Sequence, residues 1–141
     1  MSKKLQLTLV LIGCTILLGS CTFKQRSTIV GVWQITSYHD IEYQNGHVMS
    51  DNKSAPLDPT TIVFSRNGVM QMHQQGSGFN YSMTGTWRLH GQQLTIVDNQ
   101  HQMVCNAMVN GTTLVMSYAV EQKANGVTYR YITEMAARKT R

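Results

Sequence analysis

Three cysteines, Cys14, Cys21 and Cys105, are the first side chains to weigh for chemistry in this 141-residue chain. Cys105 is a nucleophile by type, but in Met103-Val104-Cys105-Asn106-Ala107 the apolar alternation turns it inward. An inward thiol among apolar neighbours has a raised pKa and is inert, so Cys105 reads as a small core residue. The five histidines, His39, His47, His73, His90 and His101, show no His-x-x-x-His and no alternation with carboxylates, the spacings a metal site needs. They read as surface residues. Ser77, between Gly76 and Gly78, lacks a nucleophile-elbow pattern and reads as loop. Asp40 and Glu42 follow His39 and read as solvated polar residues at a strand end. None of these groups forms a catalytic or metal-binding constellation, and the expectation is a protein that is no enzyme and carries no metal or cofactor.

The remaining chemistry is at the start of the chain. Lys3 and Lys4 precede an apolar run from Leu5 to Leu18, the charged and hydrophobic regions of a secretion signal. That run is shorter than the roughly 20 residues a spanning helix needs. It ends in Leu18-Gly19-Ser20-Cys21, which resembles the lipobox of bacterial lipoproteins. The resemblance implies cleavage before Cys21 and acylation of that residue. Leu11-Ile12-Gly13-Cys14 fits the same pattern but leaves Leu5 to Val10 as hydrophobic region, short of the usual ~7–15 residues. The expected organisation is a signal peptide over 1–20, a lipidated cysteine and tether over 21–28, and one domain over 29–141.

A mature chain of roughly 120 residues buries one core and not two. With Cys21 lipidated, Cys105 is the only thiol left and no intramolecular disulfide can form. The formal charge is +5, but Lys3 and Lys4 leave with the signal, and Lys24, Arg26, Arg138, Lys139 and Arg141 lie in two tails. The body between them is slightly acidic, which argues against nucleic acid as a partner.

The elements that position everything else are marked by turns. Asn45-Gly46, Asn67-Gly68, His90-Gly91, Asn110-Gly111 and Asn125-Gly126 recur at near-regular spacing, and Asn-Gly is the strongest short-range hairpin signal because both residues tolerate positive φ. Between them, Phe79 to His90 alternates strictly, with Phe79, Tyr81, Met83, Gly85, Trp87 and Leu89 on a dry face; Leu94 and Ile96 continue it. A two-residue turn at Asn125-Gly126 pairs Val120 with Tyr131, Tyr118 with Thr133, Met116 with Met135 and Glu121 with Arg130. The same turn at Asn110-Gly111 sets Leu114 opposite Ala107 and Met116 opposite Cys105. At Arg66-Asn67-Gly68 a three-residue loop pairs Phe64 with Met70 and Ile62 with Met72, which keeps the apolar set on one side. Pro56 and Pro59 fall in a longer connection from about Asp51 to Pro59. The expected fold is all-β: an antiparallel up-and-down barrel of about eight to ten strands, which leaves no exposed sheet edges.

Gly31-Val32-Trp33, the run from Thr61 to Gly68, Gly85-Thr86-Trp87-Arg88-Leu89 with Gly91, and the turn from Asn110 to Leu114 together resemble the small lipocalin-like lipoproteins of Bacteroidetes-type bacteria. That resemblance implies a calycin-type barrel closed near Trp33, with a basic residue of the last strand, Arg138 or Lys139, over the tryptophan ring. The expected interior lining is Trp33, Phe64, Met72, Tyr81, Met83, Trp87, Met116, Tyr118, Tyr129 and Tyr131, soft and polarizable where methionine contributes. Two readings stay open. In one, the chain is a membrane-anchored barrel that binds a small lipophilic ligand in the cell envelope, at the outer membrane facing the periplasm. In the other, a filled barrel acts through its surface as an interaction or assembly accessory, with Val104 and Met108 on the outer face.

Overall fold

The structure, a computed structural model, describes residues 28–76 and 78–141, with the Phe79 side chain excepted. The expected signal with Cys14, the expected lipidated Cys21, the tether to Ser27, and Ser77 lie outside the described residues. Nine strands follow in chain order: β1 (Gly31–Gln44), β2 (His47–Ser54), β3 (Thr60–Phe64), β4 (Val69–Gly76), β5 (Phe79–His90), β6 (Gln93–Val97), β7 (Gln102–Asn110), β8 (Thr113–Ala124) and β9 (Val127–Lys139). All pairings are antiparallel. β9 returns to β1, and β3 takes β1's other flank, so β1 and β3 to β9 close an eight-stranded barrel.

β2 is the additional strand. β3 occupies the flank of β1 only from Gly31 to Gln34, and β2 takes the same flank from Tyr38 to Gln44. The expected connection from Asp51 is therefore corrected: Asp51 to Ser54 belong to β2, and the connection begins at Ala55. Those residues are polar because both faces of β2 are wet, which is what hid them as a strand.

The turns confirm most of the registers. Val120 faces Tyr131, Tyr118 faces Thr133, Met116 faces Met135 and Glu121 faces Arg130, around Asn125 and Gly126, both at positive φ. Phe64 faces Met70 and Ile62 faces Met72 across the three-residue loop. One register differs. Asn110 pairs with Thr113, so Leu114 faces Val109 and Met116 faces Ala107, and Cys105 has no ladder partner on β8. The turn residues are Gly111 and Thr112: Gly111 takes the positive φ of 59°, and Asn110 stays extended. The shift is two residues, so every side chain keeps its face.

The core occupies one end. Ile29, Trp33, Phe64, Met70, Trp87, Leu94 and Leu114 are its largest fully buried side chains, joined by Ile35, Ile62, Ile96, Ala107, Met116 and Ala137. Each large apolar side chain withdrawn from water contributes about 1.5–3 kcal/mol. Phe64 and Trp87 meet edge to face, their centroids 5.5 Å apart and their planes at 78°, the arrangement favoured by ring quadrupoles. The indole nitrogens are not wasted: Trp33 Nε1 donates to the Ile29 carbonyl at 2.7 Å and Trp87 Nε1 to the Ser65 carbonyl at 3.0 Å.

The basic residue over the Trp33 ring is Lys139, with Nζ 5.3 Å from the ring centroid, within cation–π range. Gly31 makes room for it. A Cβ there would lie 2.6 Å from Lys139 Cε and 2.8 Å from the Arg141 carbonyl oxygen, and its φ is +145°. The Gly-x-Trp motif is thus the steric condition for closing this end.

Candidate functional site

Along the same inward face, packing stops partway. At the closed end Trp33, Phe64, Trp87 and Met116 are at most 3% exposed. Tyr38, Met72, Met83, Met103 and Met135 are partly buried and form the next layer. Above them Tyr81, Tyr118, Val120 and Tyr131 are 40–46% exposed, although their registers keep them on the face that bears Met83, Met116 and Met135. Tyr129 is half-buried beside Tyr131 on the same face of β9. The expected lining residues therefore divide into Trp33, Phe64, Trp87 and Met116 within the core, and Met72, Met83, Tyr81, Tyr118, Tyr129 and Tyr131 nearer or within the mouth.

The mouth is tall on one side. β8, β9, β1 and β2 run on beyond the core as a four-stranded ribbon, while β6 ends at Val97. Its two hairpin tips are joined: Asn45 N donates to the Thr128 carbonyl at 2.8 Å, and Thr128 N to Asn45 Oδ1 at 3.0 Å. Opposite, β7 and β8 pair only from Asn106 and Ser117 to the turn. Above that point the two strands part around a cleft of about 490 Å³ that reaches Cys105 and Tyr118.

On the ribbon lies a second cleft, of about 250 Å³, lined by Asp40, Glu42, Ser50, Tyr131 and Thr133 of the concave face together with the intervening Ile41 and Ile132. The registers explain this gathering, since Asp40 faces Thr133, and Glu42 lies between Tyr131 and Ser50. Thr133 Oγ1 donates to Asp40 Oδ1 at 2.7 Å. Partial desolvation and then the Glu42 carboxylate, which its hydroxyl hydrogen-bonds, push the Tyr131 phenol above its ordinary pKa. Sequence reasoning took Asp40 and Glu42 for solvated strand-end residues. Their strict i, i+2 spacing was the available signal, because it puts both on one face.

The convex face has its own polar contact. His39 Nε2 is 2.7 Å from Asp51 Oδ1 and its Nδ1 is 3.2 Å from Glu134 Oε2, a link across β2, β1 and β9. His73 meets the Ser82 hydroxyl on the same wet side of β4 and β5. No group of three His, Cys, Asp or Glu among the described residues could hold a metal. Cys105 is buried, and desolvation pushes its thiol up to about 11, as expected of an inert core cysteine.

An antiparallel up-and-down barrel of eight strands, closed at one end by a tryptophan under a basic residue and open at the other, is a calycin-type barrel. Residues 29–116 match the family described as the lipocalin-like domain, and the chain belongs to that family. The remainder of β8 and all of β9 lie past the match and complete the closure against β1. No curated protein matches the chain. A lipocalin-like barrel of this construction is consistent with the binding of small molecules in general.

Proposed function

We propose that this chain is a lipid-anchored envelope protein whose open half takes up a small lipophilic molecule. The observation that carries the reading is the exposure of Tyr81, Tyr118, Val120 and Tyr131 at 40–46% on a face that elsewhere is core. Large apolar side chains left uncovered in a concavity favour an apolar guest, and Met72, Met83, Met103 and Met135 beneath them can reshape around it. Cys21 supplies the anchor, and Thr22 after it fits release to the outer membrane, facing the periplasm. The ligand binds at the mouth while the Trp33 end stays closed.

Native mass spectrometry of the protein purified from its own host envelope tests the binding. A reproducible extra mass that is lost on denaturation is the expected result. A bare protein that also leaves apolar fluorescent probes unbound overturns it. Labelling with radioactive palmitate tests the anchor: the label is expected on the wild-type chain and not on Cys21→Ser, and a labelled Cys21→Ser variant would reassign it.

A further inference from the structure

We propose that the lipophilic guest carries a cationic, amine-bearing end, seated by Asp40 and Glu42 in the cleft at the rim while its apolar body lies along the tyrosine and methionine wall. This rests on the lipophilic-ligand reading above and names the chemistry of the ligand's polar end.

The argument is one of sign and side. Register places Asp40 and Glu42 of β1, Ser50 of β2, and Tyr131 and Thr133 of β9 on the concave face, around one cleft of about 250 Å³. The cations of the ribbon go elsewhere: Lys53 lies opposite His39, Lys123 opposite Thr128, and Arg130 opposite Glu121, all on the convex face. At the closed end Lys139 is committed to Trp33, and its neighbour Arg138 falls on the opposite face of β9. The ion pairs of the described residues all involve His39 or His101, and none includes Asp40 or Glu42. What touches these two carboxylates is neutral, the Thr133 hydroxyl on Asp40 and the Tyr131 hydroxyl on Glu42.

Near this rim the charges on the concave face of the described residues are two carboxylates held by neutral donors, which repel a fatty-acid headgroup and attract an ammonium. The Tyr131 ring beside Glu42 adds a π face to the same cation. Its tyrosine and methionine neighbours then supply the apolar contact, so an alkylamine satisfies both parts of the site at once.

The test is displacement of an apolar fluorescent probe from the full chain carrying Cys21→Ser, which has no lipid of its own, by three ligands of equal chain length: dodecylamine, dodecanoate and dodecanol. Dodecylamine is expected to displace the probe at concentrations at least about tenfold below dodecanoate. Asp40→Asn with Glu42→Gln is expected to abolish that preference and leave dodecanol unchanged, whereas Arg130→Gln on the convex face retains the preference. Equal displacement by amine and carboxylate, or a preference that survives the double substitution, overturns the headgroup assignment and leaves lipophile binding standing. Failure of all three ligands and the probe to bind overturns both.

Discussion

The two halves of this barrel share one inward face and differ in what covers it. At the closed half, Trp33 is fully buried under Lys139 and against Ile29, and Phe64 and Trp87 interlock edge to face. At the open half, the same strands present Tyr118, Val120 and Tyr131 with two-fifths of each still accessible. Packing is concentrated in the first, and the second is where the proposed recognition would act.

Breaking the closed half should have the largest effect. Trp33→Ala removes a filled volume, the donor to Ile29 and the ring beneath Lys139, and is expected to cost about 3–5 kcal/mol in urea unfolding. A loss under about 1 kcal/mol would mean that this end is not the stabilising one.

Cys105 probes the boundary by pH. Its thiol is raised from about 9 to about 11 in the folded protein by desolvation. Its contribution is therefore whole below pH 9 and is lost as pH climbs toward 11, because the unfolded chain gives up the proton first. The change is about 2–3 kcal/mol across that window. Comparison with Cys105→Ala isolates it from the tyrosines and lysines: the variant should show a shallower alkaline decline in stability, and parallel curves would place the thiol in contact with water.

Smaller effects follow in order. Lys139→Met keeps the stem but loses the cation over Trp33, with an expected cost of about 1 kcal/mol by thermal unfolding. Tyr118→Ser and Val120→Ser in the mouth should each stay within about 0.5 kcal/mol of wild type while weakening binding of an apolar probe. A mouth variant that destabilises as much as Trp33→Ala would erase the distinction between the halves.

The faces of this barrel were legible in the sequence and its depth was not. Alternation with a period of two assigns Tyr81 and Trp87 to the same side, but the period says nothing of how far along the strand packing ends, and so the ten expected lining residues span both halves. The Asn125-Gly126 register was legible because both residues had to take positive φ. At Asn110-Gly111-Thr112 two tight turns compete, and the sequence alone favours the pair that the backbone does not use. The turn between β6 and β7 has no glycine at all: Asp98 accepts from the Gln100 and His101 amides and makes the loop with its side chain. The end of β2, Asp51 to Ser54, reads as a connection because its polarity is that of a strand wet on both faces, and its partner contact, Asp51 to His39, spans 12 positions of chain.

The bond between the two tall hairpins through Asn45 and Thr128 has a mechanical consequence. Two hairpins sharing paired strands and a bonded crest form one mechanical unit, and the ladder between β7 and β8 stops below it at Asn106 and Ser117. The ribbon's other flank is unpaired as well, since β2 bonds to β1 alone, so above the core the four strands are held by one another and by their crest rather than by the rest of the barrel.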